Sequence, residues 1–293
     1  MAKLLRGEIM AKFFSPGQIW RLVALLFFEP RACALCQVEI TEVAQAQVCT
    51  DETGGNLCPE CLVFFRQLTE VRTTLIGDDD SDIIECFSSG YYSGPLQEAI
   101  YQIKYLKRPE LAKILAFTLV PPAMALLNLQ RSKDKNIDMK ALLIPVPLHP
   151  SKVKERGFNQ AEELAHHMGE RLKLKVDTSS LRRIRSTRPQ FGLSRGQRRR
   201  NLEGAFKASK RLNGQNVILV DDVLTSGATI YECAMAVSIA GGKIIGAITL
   251  ARAKWQKREQ AKEEEVVMAG RAKERGRNWG ETTVPASSVE LLL

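Results

Sequence analysis

No apolar stretch in this 293-residue chain is long enough to cross a bilayer. The longest candidate, Trp20 to Phe28, is interrupted by Arg21 and closed by Glu29 and Pro30, short of the ~18 residues a span requires. Lys3, Arg6 and Lys12 ahead of it and Ala32-Cys33-Ala34 behind it imitate a secretory signal, but the apolar centre is too short and too broken for one. Residues 1–32 are therefore expected to form an N-terminal helical segment packed on a neighbouring domain, and the chain is expected to be cytoplasmic. No G-x-x-x-x-G-K-S/T motif occurs, which argues against a P-loop NTPase. Histidine is scarce: His149, His166 and His167 are the only three, and none has ligand spacing with an acid or a cysteine, so surface or packing roles are expected of them. Acidic residues are missing altogether between Leu181 and Arg200, where Arg182, Arg183, Arg185, Arg188, Arg195, Arg198, Arg199 and Arg200 supply much of the net charge of +9. Such a segment either attracts polyanions (pyrophosphate, nucleotides, a nucleic-acid backbone) or forms a solvated basic loop.

Hydrophobic residues make up 45% of the chain, enough for a real core in one large domain or in a large and a small one. The most informative stretch is Val217–Ile230, VILVDDVLTSGATI. Its run Val217–Val220 has the β-branched content of a buried central strand and places Asp221 and Asp222 at its carboxyl end, where ligands collect in open α/β sheets. Two ionised carboxylates can accept hydrogen bonds from neighbouring sugar hydroxyls. Thr225, Ser226, Gly227, Ala228 and Thr229 then offer backbone N–H groups and hydroxyls at a helix N-terminus, which suits a phosphate. Gly227 lets the backbone come close. A response-regulator strand or a Walker-B strand could also end in Asp, but the second needs the absent P-loop.

Cys33-x-x-Cys36 and Cys58-x-x-Cys61 form two knuckles separated by 21 residues, with Cys49 between them. Paired C-x-x-C turns can close a tetrahedral zinc site, although this separation lies just beyond the usual ribbon range. A redox dithiol or a disulfide framework is the alternative. Cys86 and Cys233, in apolar surroundings, read as small buried hydrophobes.

Alternation of strand-like and helix-like text implies an α/β fold with a parallel sheet, preceded by a small four-cysteine zinc module. The expected organisation is a zinc-binding module over 33–70, a linker over 71–82, an α/β domain over 83–252, and a charged, partly disordered extension over 253–293. Strands are expected near Ile83–Phe87, Leu142–Val146, Val217–Val220 and Ile244–Leu250. Helices are expected over about 62–71, 96–106, 111–129 (bent at Pro121-Pro122) and 230–240, the last ended by Gly241-Gly242. The loop after Leu142–Val146, with Lys152, Lys154 and Arg156, could hold a second anionic group of the same ligand.

In order, the cysteine module, Tyr91–Leu106 (YYSGPLQEAIYQIKYL), Pro145–Gln160 (PVPLHPSKVKERGFNQ), Thr187–Phe206 (TRPQFGLSRGQRRRNLEGAF) and Val217–Ile230 closely resemble the ComF family of competence-related phosphoribosyltransferase-like proteins, from about Cys33 to Arg252. The resemblance implies a type I phosphoribosyltransferase fold that takes 5-phosphoribosyl 1-pyrophosphate (PRPP). It implies that Asp221 and Asp222 hold the ribose hydroxyls, that Thr225–Thr229 wrap the 5′-phosphate, and that the loop beginning at Val146-Pro147 and reaching Lys152 and Arg156 takes the pyrophosphate. Arg188–Arg200 corresponds to a mobile catalytic loop, with Arg188 and Arg195 acting beside the two acids. Cys33, Cys36, Cys58 and Cys61 would hold structural Zn²⁺, and Mg²⁺ would arrive with PRPP. The implied activity is Mg²⁺-dependent phosphoribosyl transfer to an acceptor that no segment identifies, tied by family to DNA uptake. The alternative is a non-catalytic DNA-uptake factor that binds single-stranded DNA or a helicase partner. Oligomeric state is not legible in the sequence.

Overall fold

The computed structural model describes residues 32–40, 57–68, 70–76, 83–135, 140–187 and 200–253. Residues 1–31 of the expected N-terminal helical segment, Cys49, residues 77–82 of the linker, Arg188, Arg195 and residues 254–293 lie outside the described residues. The chain divides into two compact units, Met1–Val63 and Phe64–Leu293, so the boundary falls inside helix α1 (Pro59–Arg66).

The second unit is built on a six-stranded sheet. Its strands are β1 (Val71–Ile76), β2 (Ile83–Tyr91), β3 (Leu142–Pro145), β4 (Lys175–Val176), β7 (Asn216–Leu224) and β8 (Lys243–Arg252), in the order β1-β2-β8-β7-β3-β4. All neighbours are parallel except β1, which runs antiparallel to β2 from Val71↔Ser88 to Ile76↔Ile83. A short ribbon of β5 (Leu181–Arg183) and β6 (Phe206–Ala208) stands apart from the main sheet.

Strand β1 corrects the expected linker over 71–82. Val71-Arg-Thr-Thr-Leu-Ile has β-branched residues at alternate and adjacent positions, and Leu75 buries against the sheet. The exposed edge is polar, as edge strands usually are. Arg72 makes a two-pronged contact with the buried Glu85 of β2, at 2.9 and 3.0 Å, and Lys133 adds a third contact at 3.1 Å.

The helices described in full within this unit are α2 (Gly94–Tyr105), α3 (Glu110–Thr118), α4 (Val120–Lys133), α5 (Pro150–Arg156), α6 (Gln160–Leu172) and α7 (Ala228–Ile239). The single helix expected over 111–129 is two, α3 and α4, meeting at 43°. Pro121 and Pro122 fall in the first turn of α4, where a missing N–H and a fixed φ are tolerated. No single described helix is long and apolar enough to cross a membrane.

Strand β7 is buried from Val217 to Val220 with no exposed face, as a central parallel strand requires. Alternate residues go to opposite sides. Val217 and Leu219 belong to a cluster with Ile230, Cys233 and Val237 of α7 and with Leu181 and Phe206 of the β5–β6 ribbon. Helices α3, α4 and α6 pack with one another and α4 and α6 cover the strands from the other side. Helix α7 ends as its glycines require: Gly241 takes φ +81°, and Gly242 N–H donates to Val237 O at 3.0 Å. Cys86 and Cys233 are fully buried thiols, as expected.

Candidate functional site

Strand β7 does not stop at Val220 but runs through both acids to Leu224. Its pairing with β3 ends at Pro145↔Val220, whereas its pairing with β8 continues through Asp221↔Thr249 to Leu224↔Arg252. The acids thus stand beyond the carboxyl end of β3 while still clamped on the β8 side. The expected strand over Val217–Val220 is thus longer than its apolar run, because the parallel partner β8 is longer and carries the ladder onward past both acids.

Because neighbours on a strand project to opposite sides, Asp221 and Asp222 have different surroundings. Asp222 is 7% exposed and turns toward α2 and α6. Lys104 Nζ of α2 lies 2.9 Å from its Oδ1, and Gln160 Nε2 of α6 donates to its Oδ2 at 2.5 Å. Arg156 Nη1 in turn donates to Gln160 Oε1, and the guanidinium lies 5.8 Å from the centroid of Tyr105. Burial alone would raise the Asp222 carboxyl, but Lys104, the Gln160 amide and Arg156 together outweigh it and hold the group below the usual carboxylate range. The Tyr92 hydroxyl, which feels the Asp222 charge, is buried with no hydrogen-bond partner among the described residues.

Asp221 turns toward the α7 and β5 side. Its Oδ1 accepts the Asp222 backbone N–H at 2.9 Å. Burial first, and then the neighbouring Asp222 charge, push its carboxyl up to about 8, against the Asp222 backbone N–H bond and the charges of Lys104 and Arg183. Arg183 is itself held below the usual arginine range by burial, its guanidinium 5.5 Å from the Phe206 ring centroid. Its Nε is buried and unpartnered among the described residues.

The turn after β7 is fixed from both sides. Arg252, the last residue of β8, donates from Nη1 to Leu224 O at 3.2 Å and to Thr225 O. Those carbonyls are thereby occupied, while Ser226 Oγ caps Ala228 N–H at 3.4 Å. Gly227 sits at φ +81° as the N-cap of α7, and a Cβ there would lie 2.5 Å from Leu75 Cδ2. Glycine is therefore required by its left-handed backbone and by the Leu75 side chain, reasons a ligand-facing turn alone would not supply.

The second loop follows β3. Val146 N–H donates to Val220 O at 2.8 Å, and Asn159 Nδ2 donates to Val146 O at 3.1 Å. Asn159 Oδ1 also caps α6 by accepting Ala161 N–H at 3.2 Å. The loop from Val146-Pro147 is thus pinned beside the acids, and Arg156 reaches their network. Lys152 does not; its ammonium pairs with Glu155 at 2.9 Å on an exposed surface. His149 serves as the N-cap of α5, while His166 and His167 face Glu162 and Glu170 on the surface of α6. None of the three enters the site.

Lys104, Gln160 and Tyr92 are the site residues not singled out in the sequence, and Arg183, counted there only as part of the basic segment, is the arginine of that segment the fold brings to the Asp221 side. Lys104 and Gln160 both sit in quoted motifs (YYSGPLQEAIYQIKYL and RGFNQ), which was the available signal. What it lacked was the contact to Asp222.

In the first unit, the chain around Cys33 closes a tight turn. Cys33 N–H donates to Val38 O at 2.8 Å, Gln37 takes φ +59°, and Ala32 bridges Glu39. Leu62 N–H of α1 donates to Cys58 O at 3.0 Å. The sulfurs of Cys33, Cys36, Cys58 and Cys61 all lie within 4.8 Å of one another, with Cys36 and Cys58 at 3.6 Å. Four sulfurs on a tetrahedral Zn²⁺ at about 2.3 Å would be roughly 3.8 Å apart, so the donor set fits such a metal. All six described cysteines are free thiols, which sets aside a disulfide framework among them. Hydrogen bonds from Cys36 and Cys61 hold the Cys33 thiol far below its usual range, and Cys36 is pushed up to about 12 in return.

A profile of the phosphoribosyl transferase domain matches residues 153–280. The chain is similar to DNA utilization protein YhgH of Escherichia coli O157:H7, 34% identical over 143 residues, which are 49% of this chain and 61% of that protein. It is similar to competence protein F of Haemophilus influenzae, 31% identical over 167 residues, 56% of this chain and 71% of that protein. Competence protein ComFC of Bacillus subtilis is 23% identical over 232 residues, 75% of this chain and 83% of that protein. The match spans about three fifths of the length of the YhgH relatives.

Proposed function

The chain belongs to the ComF family of phosphoribosyltransferase-like proteins, and on that premise we propose that it binds PRPP with Mg²⁺ and transfers the phosphoribosyl group. The observation that carries this reading is the acid pair held beyond the end of β3, between the Val146–Asn159 loop and the Gly227 turn. The acids receive the ribose hydroxyls. The turn Thr225–Thr229 takes the 5′-phosphate, its backbone set by Arg252, Ser226 and Gly227. The loop from Val146-Pro147 takes the pyrophosphate, and Arg156 is the cation of that loop that the fold already brings to the acids.

Both oxygens of Asp222 are engaged by Lys104 and Gln160, so the acid pair is not a ready-made divalent cage, which suits Mg²⁺ that travels with PRPP. Magnesium supplies charge neutralisation on the departing pyrophosphate. The arginines of the 188–200 segment, with Arg188 and Arg195 foremost, complete that neutralisation and exclude water. The four-cysteine cluster carries a structural Zn²⁺. A role in handling DNA, with single-stranded DNA met by the arginine-rich segment, is favoured by the names of the DNA utilization and competence relatives and by the acid-free run from Leu181 to Arg200.

Calorimetric titration of PRPP with Mg²⁺ into the wild type and an Asp221→Asn/Asp222→Asn variant tests the site. Saturable binding by the wild type, lost in the variant, is expected. Absence of binding in the wild type would overturn the reading.

A further inference from the structure

The two carboxylates at the end of β7 are adjacent in sequence but not equivalent in space. Asp222 is closed in on its side of the strand: Lys104 from α2 holds Oδ1 at 2.9 Å, Gln160 from α6 holds Oδ2, and Arg156 from α5 is tied to the far end of the same amide. The side chains of Lys104 and Asp222 are each only 10% exposed. Withdrawing both groups that far from water costs hydration, which their mutual contact has to offset. Among the described residues Asp221 has no comparable cation in contact; its carboxylate accepts a backbone N–H, with Arg183 of β5 and the Cys233 thiol of α7 on its side.

From this geometry we infer that Lys104 is a positioning residue of the sugar site, which locks Asp222 in one orientation and in its ionised form and leaves Asp221 as the adaptable acid of the pair. The inference rests on the PRPP reading of the same site and deepens it. Two adjacent carboxylates without a counter-charge share a proton, because the second ionisation is opposed by the first. Lys104 is the cation that removes that conflict on the Asp222 side. The lone pairs left on each Asp222 oxygen remain able to accept a sugar hydroxyl. The groups that lower the Asp222 carboxyl are Lys104, Gln160 and Arg156; Asp221, Tyr92 and Tyr105 also face it and feel its charge, and of all of these only Lys104 makes a direct ionic contact.

The test compares the wild type with Lys104→Met, which keeps the aliphatic stem, and Lys104→Arg, which keeps the charge. Affinity for PRPP with Mg²⁺ is measured by calorimetry from pH 3 to 8, a window that reaches below the ordinary carboxylate range in which Asp222 is held, and the Asp222 carboxyl is followed over the same window by carboxyl-carbon NMR titration without ligand. In Lys104→Met the midpoint at which binding fails on acidification moves up by about one pH unit, which costs about tenfold in affinity below that midpoint. The Asp222 carboxyl titrates upward by a similar amount, and Lys104→Arg restores both. An unchanged pH profile and NMR midpoint in Lys104→Met, or tighter binding than wild type, would overturn the inference while leaving the PRPP site standing. Failure of the wild type to bind PRPP would instead strike the functional reading, and the NMR titration would still decide whether Lys104 sets the ionisation of Asp222.

Discussion

Replacing Asp221 by asparagine should change how stability depends on pH more than it changes stability itself. In the folded protein the Asp221 carboxyl is pushed up to about 8 from an ordinary value of 3.8, by burial and by the fixed negative charge of Asp222. The folded chain therefore keeps a proton that the unfolded chain has already released between those two values. Because the native state binds more protons, its stability falls as pH rises through that window, by at most about 1.4 kcal/mol per pH unit for one proton. Asparagine resembles the protonated acid, and its Oδ1 can still accept the Asp222 N–H now bonded at 2.9 Å. It has no proton to lose. Between pH 5.5 and 7.5, Asp221→Asn should gain on the wild type by roughly 1–3 kcal/mol, the lower part of that range allowing for solvent reaching a half-buried group. For a domain of this size that is a relative shift of roughly 2–12 °C in unfolding midpoint. Urea denaturation followed by circular dichroism at closely spaced pH values measures it, and the histidines and other shared groups cancel in the difference. A wild-type-to-variant difference that stays constant from pH 5.5 to 7.5 would refute the assignment of the extra proton to Asp221.

Two further outcomes follow from the same geometry. Gly227→Ala places a Cβ 2.5 Å from Leu75 Cδ2 at a φ of +81°, so it should cost roughly 2–5 kcal/mol, strain and overpacking combined. Thermal unfolding reads the loss, and adding Leu75→Ala should recover the steric share but not the backbone share; a fully additive double variant would show that the contact is not the cause. The four-sulfur cluster should hold about one zinc per chain by metal analysis. Cys36→Ser or Cys61→Ser should lose most of it, whereas Cys86→Ser should keep it, and retention by the cluster variants would discount the site.

Much of this architecture was legible in the chain. The buried text of Val217–Val220 marked the central strand, the hydroxyl- and glycine-rich run marked the turn, and two C-x-x-C pairs marked the four-sulfur cluster, because strand burial, helix starts and paired cysteine turns are local and leave short patterns. Strand β1 was missed for an equally physical reason. Val71–Ile76 is a polar-faced edge strand next to an acidic connection, and its identity comes from pairing with β2 rather than from its own composition.

What the sequence by itself determined is an inventory: two adjacent carboxylates, a hydroxyl- and glycine-rich turn and a basic loop in one unit, and four thiols in the other. The alternation of a strand even implies that Asp221 and Asp222 look to opposite sides. Which helices cover each side is decided only by tertiary structure, since the crossovers that bring α2 and α6 against one face and α7 and β5 against the other join residues far apart in the chain. That packing hands Lys104 and Gln160 to Asp222 and leaves Asp221 beside Arg183 without a direct cation among the described residues, and so makes two identical side chains chemically different.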